Sequence, residues 1–220
     1  MPNAIITGAN RGIGLEFCRA LTERGYHVTA LCRQSSEALE GLPVEVHTNF
    51  DVTDTDAIQT FASNVAPGSI DLLINNAAIM QSVSLDHMDL DAVRRQLEVN
   101  AIAPLQITHA LIPALKKGSK IALITSRMGS IADNDSGGSY GYRMSKAALN
   151  AAGASLAKDL RPLGITVAIL HPGYVKTDMT GYSGIIDPQE SVTGLLERID
   201  ELTLKSSGTF WHSNGEVLPW

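Results

Sequence analysis

Tyr142 and Lys146 are the residues of this chain whose types and spacing point most directly to chemistry. They stand four positions apart, which puts a phenol and an ammonium on one face of a helix. A phenol titrates near pH 10 in water, and a neighbouring cation stabilises its anion by about 1.4 kcal/mol per unit of lowering. Such a phenol can hand a proton to the oxyanion formed when hydride reaches a carbonyl carbon. A second feature lies near the start, Thr7-Gly8-Ala9-Asn10-Arg11-Gly12-Ile13-Gly14. Glycines let a chain turn sharply from strand to helix, and the free N–H groups and dipole of the helix start attract a pyrophosphate. The spacing is Gly-x-x-x-Gly-x-Gly, not the Gly-x-Gly-x-x-Gly of most dinucleotide folds. Neither feature decides alone, because a Tyr-x-x-x-Lys pair is often a packed ring beside a solvated amine, and a glycine turn can be purely structural.

Something must position these groups, and the rest of the sequence supplies it. Short apolar, β-branched runs at 3–7, 27–32, 44–50, 71–75, 120–125, 165–170 and 209–211 read as strands. Several are continuously apolar, as in strands covered on both faces. Ile13, Phe17, Ala20 and Leu21 recur at helical spacing, with Gly25 as a C-cap. Further helices are expected at 54–65, opened by an acidic cap, and at 88–117, bent near Pro104 or ending near Pro113. Two more are expected at 140–160 and 188–204. The alternation implies one dinucleotide-binding domain over 1–220. Its fold is α/β, a single Rossmann-type doubly wound parallel sheet of about seven strands with helices on both faces. The turn-rich stretch 133–138 reads as a loop over a site.

Four further elements follow the glycine turn in order. Asn75-Asn76-Ala77-Ala78 ends the fourth strand, Asn100 lies in the long helix, Ser126 ends the fifth strand, and Tyr142-Arg143-Met144-Ser145-Lys146 opens the next helix. Together they resemble the short-chain dehydrogenase/reductase family over essentially the whole chain. The run from Ile124 to Lys146 and the ending Gly215-Glu216-Val217-Leu218-Pro219-Trp220 look like the branch of C-factor-like proteins and sniffer-type carbonyl reductases. The resemblance implies an oxidoreductase that passes hydride between a nicotinamide and a carbonyl or alcohol carbon. It implies Tyr142 as general acid/base, and Lys146 as the cation that lowers its pKa and bonds the nicotinamide ribose. Ser126 would stabilise the substrate oxygen, and Asn100 would shape its helix and connect the lysine to solvent. Ser126 lies sixteen residues before Tyr142, slightly more than in many family members, and the loop 133–138 can absorb the difference. Ser130 is the competing serine. Thr125 reads as strand filler.

The dinucleotide is read at the second strand's end. An acidic residue there would bind the ribose hydroxyls of NAD and repel a 2′-phosphate. Here Cys32 replaces the acid and Arg33 follows, while Arg11 adds a second guanidinium. Guanidiniums suit a phosphate, so NADP(H) is expected and NAD(H) is the lesser alternative. The resemblance assigns Gly8, Asn10, Gly12, Ile13 and Gly14 to the pyrophosphate turn, and Asp51 and Val52 to the adenine. Asn76, Ala77 and Ala78 lie where open parallel sheets bind ligands. His171-Pro172-Gly173-Tyr174-Val175-Lys176-Thr177 resembles the segment that meets the nicotinamide, where the Val175 backbone would bond the carboxamide and Thr177 the carboxamide or a phosphate. His171 reads as a strand-end residue before it reads as a base.

The chain has 220 residues, 44% of them hydrophobic, enough for one core. A formal net charge of −6 argues against nucleic acid or an anionic membrane as partner. There is no 18-residue apolar run and nothing like a signal peptide at the start, so a cytoplasmic location is expected. Cys18 and Cys32 form neither a disulfide framework nor a metal pattern. Met80, Met128, Tyr174, Met179 and Tyr182 are candidate walls for an apolar small-molecule substrate, a carbonyl or alcohol, under a glycine-bearing lid at 178–186. The Ala-rich helix 140–160 and the helix of Asn100 match the family's dimer-forming pair, so a homo-oligomer, a dimer, is expected. A dinucleotide-binding signalling or sensor protein of the C-factor-like type, with little turnover, stays as the alternative. A pure sensor has no need of a proton donor.

Overall fold

The computed structural model describes residues 1–220. Seven strands form one parallel sheet: β1 (Asn3–Thr7), β2 (His27–Leu31), β3 (Glu45–His47), β4 (Ile70–Asn75), β5 (Leu115–Ile124), β6 (Thr166–His171) and β7 (Phe210–His212). Their order is β3-β2-β1-β4-β5-β6-β7. Sequence order reverses between β1 and β4, and in open parallel sheets the crevice beyond the strand ends at that point receives the ligand. The fold is a Rossmann-type doubly wound α/β sheet.

Alternation along each strand builds two cores. Ile5, Leu73, Ile121 and Ile169 point to one face, where α3 (Thr55–Asn64), α5 (Ala103–Leu111) and α6 (Tyr140–Asp159) cover them. Ala4, Ile6, Leu72, Ile74 and Ala168 point to the other, under α1 (Gly12–Glu23), α2 (Glu37–Glu40) and α7 (Pro188–Asp200). Phe17 of α1 is fully buried there, a burial that contributes about 1.5–3 kcal/mol. Asp54 caps α3, its Oδ1 accepting from the Asp56 and Ala57 N–H groups at 3.0 Å each.

The long helix expected at 88–117 is broken into pieces. It runs as α4 (Leu90–Leu97), a π-helical turn (Glu98–Ile102), α5, and a 3-10 turn (Ile112–Ala114). It ends near Pro113, one of the two places expected, and not at 117: Leu115 pairs with Ile70 and β5 begins. The 188–204 expectation overshoots too, because α7 stops at Asp200. There the Lys120 ammonium takes up the carbonyls of Ile199 and Asp200 at 2.5 and 2.9 Å. No helix is long and apolar enough to cross a membrane.

Candidate active site

The glycine turn after β1 and the turn after β4 are built as one unit. Gly8 has φ +66°, and a Cβ on it would lie 2.8 Å from the Ala77 Cα. A Cβ on Gly14 would overlap the Gly8 carbonyl and the Asn76 amide, so Gly14 serves packing beneath the turn. The Asn76 Nδ2 donates to the carbonyls of Thr7 and Gly8 at 3.0 and 3.1 Å. The Asn76 and Ala77 N–H groups donate to Thr7 Oγ1 at 3.0 and 3.1 Å. The Asn76 side chain is therefore committed to joining two turns. Ser36 accepts the Leu39 N–H as cap of α2 and donates to the Asn10 carbonyl at 2.7 Å, pinning the turn from outside. Sequence reasoning missed Thr7 and Ser36, although a hydroxyl just before a glycine turn is a visible signal. No side chain caps the start of α1, which leaves its N–H groups and positive dipole end for a ligand.

Beyond this unit lies a cleft of about 1180 Å³. Gly8, Asn10, Arg11, Gly12 and Ile13 form one wall, and Arg33, Asp51 and Val52 form the outer end. Asn76, Ala77, Ala78, Tyr142, Lys146, Pro172 and Thr177 complete it. Gly173 and Val175 lie behind the surface, Gly173 against Ile186 and Val175 buried. Arg33 is exposed at the rim next to buried Cys32. The Asp51 carboxyl is held below the usual range chiefly by the Thr53 N–H, then by the Thr53 hydroxyl and the Arg33 charge, against its partial burial. Arg11 does not stand free, since its Nη1 is 3.3 Å from Asp178, the first residue of the lid. Arg94, Arg95, Glu98 and Val99 also reach the cleft. No motif announces them, because they sit there only through the packing of α4.

At the inner end, α6 carries Tyr142 and Lys146 into the protein. Lys146 is 2% exposed and donates from Nζ to the Ile124 carbonyl at 2.8 Å. The same nitrogen lies 5.7 Å from the Tyr142 ring centre. Against the expected lowering by Lys146, burial pushes the phenol up to about 12, and the Ser126 hydroxyl beside it is what pulls the other way. Burial pushes the ammonium down to about 7. Ser126 Oγ accepts the Met128 N–H at 3.2 Å. Ser130 is turned away, donating to the Trp220 main-chain oxygen and accepting the Asp133 N–H, each at 3.1 Å. Thr125, read as filler, donates to Asn150 Oδ1 at 2.7 Å and to the Lys146 carbonyl at 3.3 Å.

Asn100 sits in the π turn, fully buried. Its Oδ1 accepts the Ile79 N–H at 2.8 Å, and its Nδ2 donates to the Ile79 carbonyl at 2.8 Å and to Ser145 Oγ at 3.0 Å. The segment after β4 is thereby tied to α6 one residue before Lys146. Pro104 has no N–H for the carbonyl four residues back, which is that of Asn100, and this marks where regular helix fails. His171 is held down to about 3, mainly by burial and then by the charges of His212, Arg127 and Lys146. Its Nδ1 has no partner.

A turn that can cradle a pyrophosphate, beside a buried phenol, lysine and serine, narrows the choice of relatives. The sequence matches the short chain dehydrogenase family over residues 2–184. The chain belongs to the short-chain dehydrogenase family. It is 37% identical, over the full length of both chains, to 1-hydroxy-2-glutathionyl-2-methyl-3-butene dehydrogenase of Rhodococcus sp. (strain AD45). It is 44% identical over 166 residues to C-signal of Myxococcus xanthus, a match covering 74% of this chain and all of that one. Its fold superposes on the NADPH-bound carbonyl reductase from chicken fatty liver with a TM-score of 0.92 and 32% identity, covering 100% of this chain and 99% of that one. As a short-chain dehydrogenase the chain is an oxidoreductase. Its buried phenol is neutral near pH 7, the form that can give a proton to a developing alkoxide.

Proposed function

We propose that this short-chain dehydrogenase is an NADP(H)-dependent enzyme, one domain over 1–220, that interconverts a neutral carbonyl compound and its alcohol. The carrying observation is the burial of Tyr142 against Lys146 at the inner end of the cleft, with the Ser126 hydroxyl beside the phenol. The residues fit a phosphorylated dinucleotide. The start of α1 lacks a side-chain cap, the close approach of Gly8 to Ala77 leaves no room for a side chain on Gly8, and Arg33 stands free one residue after Cys32, which replaces the acid that would select NAD. The likeness to an NADPH-bound carbonyl reductase supports the same cofactor. When bound, the dinucleotide supplies or accepts the hydride.

The chain's own residues do the rest. Ser126 and Tyr142 hold the substrate oxygen, and Tyr142 gives its phenolic proton to that oxygen as the alcohol forms. Lys146, held near pH 7, carries charge that stabilises the phenolate and can itself be recharged from solvent. Asn100 keeps the Ile79 segment and α6 in register around them. In oxidation the same groups run in reverse, with Tyr142 as base.

The substrate side favours a neutral, apolar compound. Met80, Tyr174, Met179 and Tyr182 are 42%, 48%, 40% and 67% exposed, and of these Met179 lines the cleft. The flanking cations are already partnered: Arg127 by Asp133 and Glu216, Lys176 by Asp187, and Arg143 by Ser136 and the Gly137 carbonyl. A conjugate bearing several carboxylates would find these three cations already paired. The test is NADPH consumption against a panel of neutral and anionic aldehydes and ketones, with NADP⁺ and the matching alcohols in reverse. Turnover of neutral members is expected. Tight NADPH binding with no turnover on any member would instead favour a signalling role, the second reading, which the likeness to C-signal supports. Two buried free cysteines suit a reducing compartment, in keeping with a cytoplasmic enzyme. A homodimer through α5 and α6 is also proposed, because Leu105 and Met144 are exposed on those helices and Ile102 on the π turn that leads into α5. Ala148 and Ala154 pack toward the sheet and do not take part. Light scattering at micromolar protein should give twice 23.5 kDa, and a mass near 23.5 kDa would refute the dimer.

A further inference from the structure

The turn that carries Ser126 is held from both sides. Its inner side rests on α6: a Cβ on Gly129 would come within 2.7 Å of the Lys146 carbonyl carbon, so turn and helix backbone touch. Its outer side meets residues 215–220, which run back along β7. Val217 bridges Trp211 in antiparallel fashion, the Leu218 N–H donates to the Phe210 carbonyl at 2.8 Å, and the Trp220 ring stacks on Phe210 at 5.6 Å. From that anchorage the Trp220 main-chain oxygen accepts the N–H groups of Ile131 and Ala132 at 3.1 and 2.8 Å, and the Ser130 hydroxyl at 3.1 Å. Arg127, the neighbour of Ser126, donates from Nη2 to both Glu216 oxygens at 2.9 Å each, while its Nε lies 2.8 Å from Asp133.

We propose that residues 215–220 form a strap that fixes Ser126 against Tyr142, with Arg127 and Glu216 as positioning residues. The proposal rests on the oxidoreductase reading above. Neither residue lines the dinucleotide cleft, so they act on the substrate oxygen at one remove, through Ser126, which adjoins Arg127 in the chain. A guanidinium whose Nη2 donates to both Glu216 oxygens is held in direction as a lysine's point charge is not, while its Nε faces Asp133 as an ion pair without a hydrogen bond. Met128, whose N–H orients the Ser126 hydroxyl, sits in the middle of the strapped turn. The ion pairs are part-exposed and add little to folding. Their effect falls on geometry, where a misplacement of about 1 Å can cost about 100-fold in rate.

The experiment compares wild type with Arg127→Ala, Arg127→Lys, Glu216→Ala, Ser126→Ala and the Ser126→Ala/Arg127→Ala double variant. NADPH affinity is read by fluorescence titration, stability by thermal unfolding, and the reaction by kcat and KM, in single turnover for the slow variants. Arg127→Ala and Glu216→Ala should each lose about 3- to 10-fold in kcat, with NADPH affinity and unfolding temperature unchanged. Arg127→Lys should restore only part. In the Ser126→Ala background, Arg127→Ala should cost nothing more, because the route through Ser126 is already gone. The strap role is overturned by an Arg127→Ala variant with wild-type kcat. It is also overturned by the same fold loss in both backgrounds, or by a loss that follows weakened NADPH binding. A wild type that turns over no carbonyl removes the oxidoreductase reading and this one with it. Wild-type turnover with an indifferent Arg127→Ala removes only the strap.

Discussion

Replacing Arg33 with alanine should separate the two dinucleotides. Arg33 stands exposed at the outer end of the cleft, beside buried Cys32 and close enough to Asp51 to help lower its pKa. A charge-assisted contact to a phosphate contributes about 1.5–3 kcal/mol, or about 10- to 150-fold in affinity. Exposure and salt place this site at the lower end, so a loss of about 10-fold is expected at physiological ionic strength and more in dilute buffer. NADH has no 2′-phosphate, and its affinity should barely change. Arg11 should matter less, because its guanidinium is already shared with Asp178 at 3.3 Å. Cys32→Asp should weaken NADPH in the same selective way, by repulsion. The assay is equilibrium titration of both cofactors against wild type and the variants at two salt concentrations. Equal weakening of NADPH and NADH by Arg33→Ala would refute the reasoning, since the arginine would then be supporting the cleft and not reading a phosphate.

Two further expectations concern pH and stability. Lys146 is held at about 7 against an ordinary 10.5, so the folded state is penalised below about pH 10.5, fully so below about 7. Lys146→Met should therefore unfold at higher temperature than wild type at pH 7. The gain is at most about 5 kcal/mol, less about 1–3 kcal/mol for an Ile124 carbonyl left without its donor. It should fade as the pH rises toward 10.5 while turnover is lost, and a variant less stable than wild type at pH 7 would contradict the cause assigned. His171 is held at about 3 against 6.5, so its stabilising contribution is present above about pH 6.5 and lost as the pH falls toward 3. His171→Leu should flatten that acid limb, whose slope is about 1.4 kcal/mol per pH unit. Unfolding midpoints between pH 3 and 7 check it, and identical slopes would rule the histidine out.

Periodicity made the sheet legible. Each of the seven strands overlaps an expected run, though β5 starts at Leu115 and not at 120; the central strands were the plainest, because a doubly covered strand is apolar throughout. What failed was local detail decided by tertiary contact. The residues around Pro113 look helical, yet Leu115 and its neighbours pair with β4. The π turn at Asn100 left no trace beyond Pro104, since the extra residue is stabilised by hydrogen bonds to Ile79 and Ser145, distant in sequence. In the site, the structure brings Tyr142, Lys146 and Ser126 together as the motif spacing implied. Gly14, Asn76 and Arg11 occupy expected motif positions but face packing or protein partners. Such contacts depend on three-dimensional neighbours, as do those of Ser36 and Arg127, and no spacing rule encodes them.

The role of Tyr142 is the central claim, and Tyr142→Phe tests it most directly. Phenylalanine keeps the buried ring but cannot give a proton. Single-turnover reduction of a good neutral carbonyl, with NADPH affinity titrated in parallel, separates chemistry from binding. The account predicts unchanged NADPH affinity and a rate at least about 100-fold lower. A variant that retains more than about a third of the wild-type rate, far above what loss of a general acid allows, would contradict it.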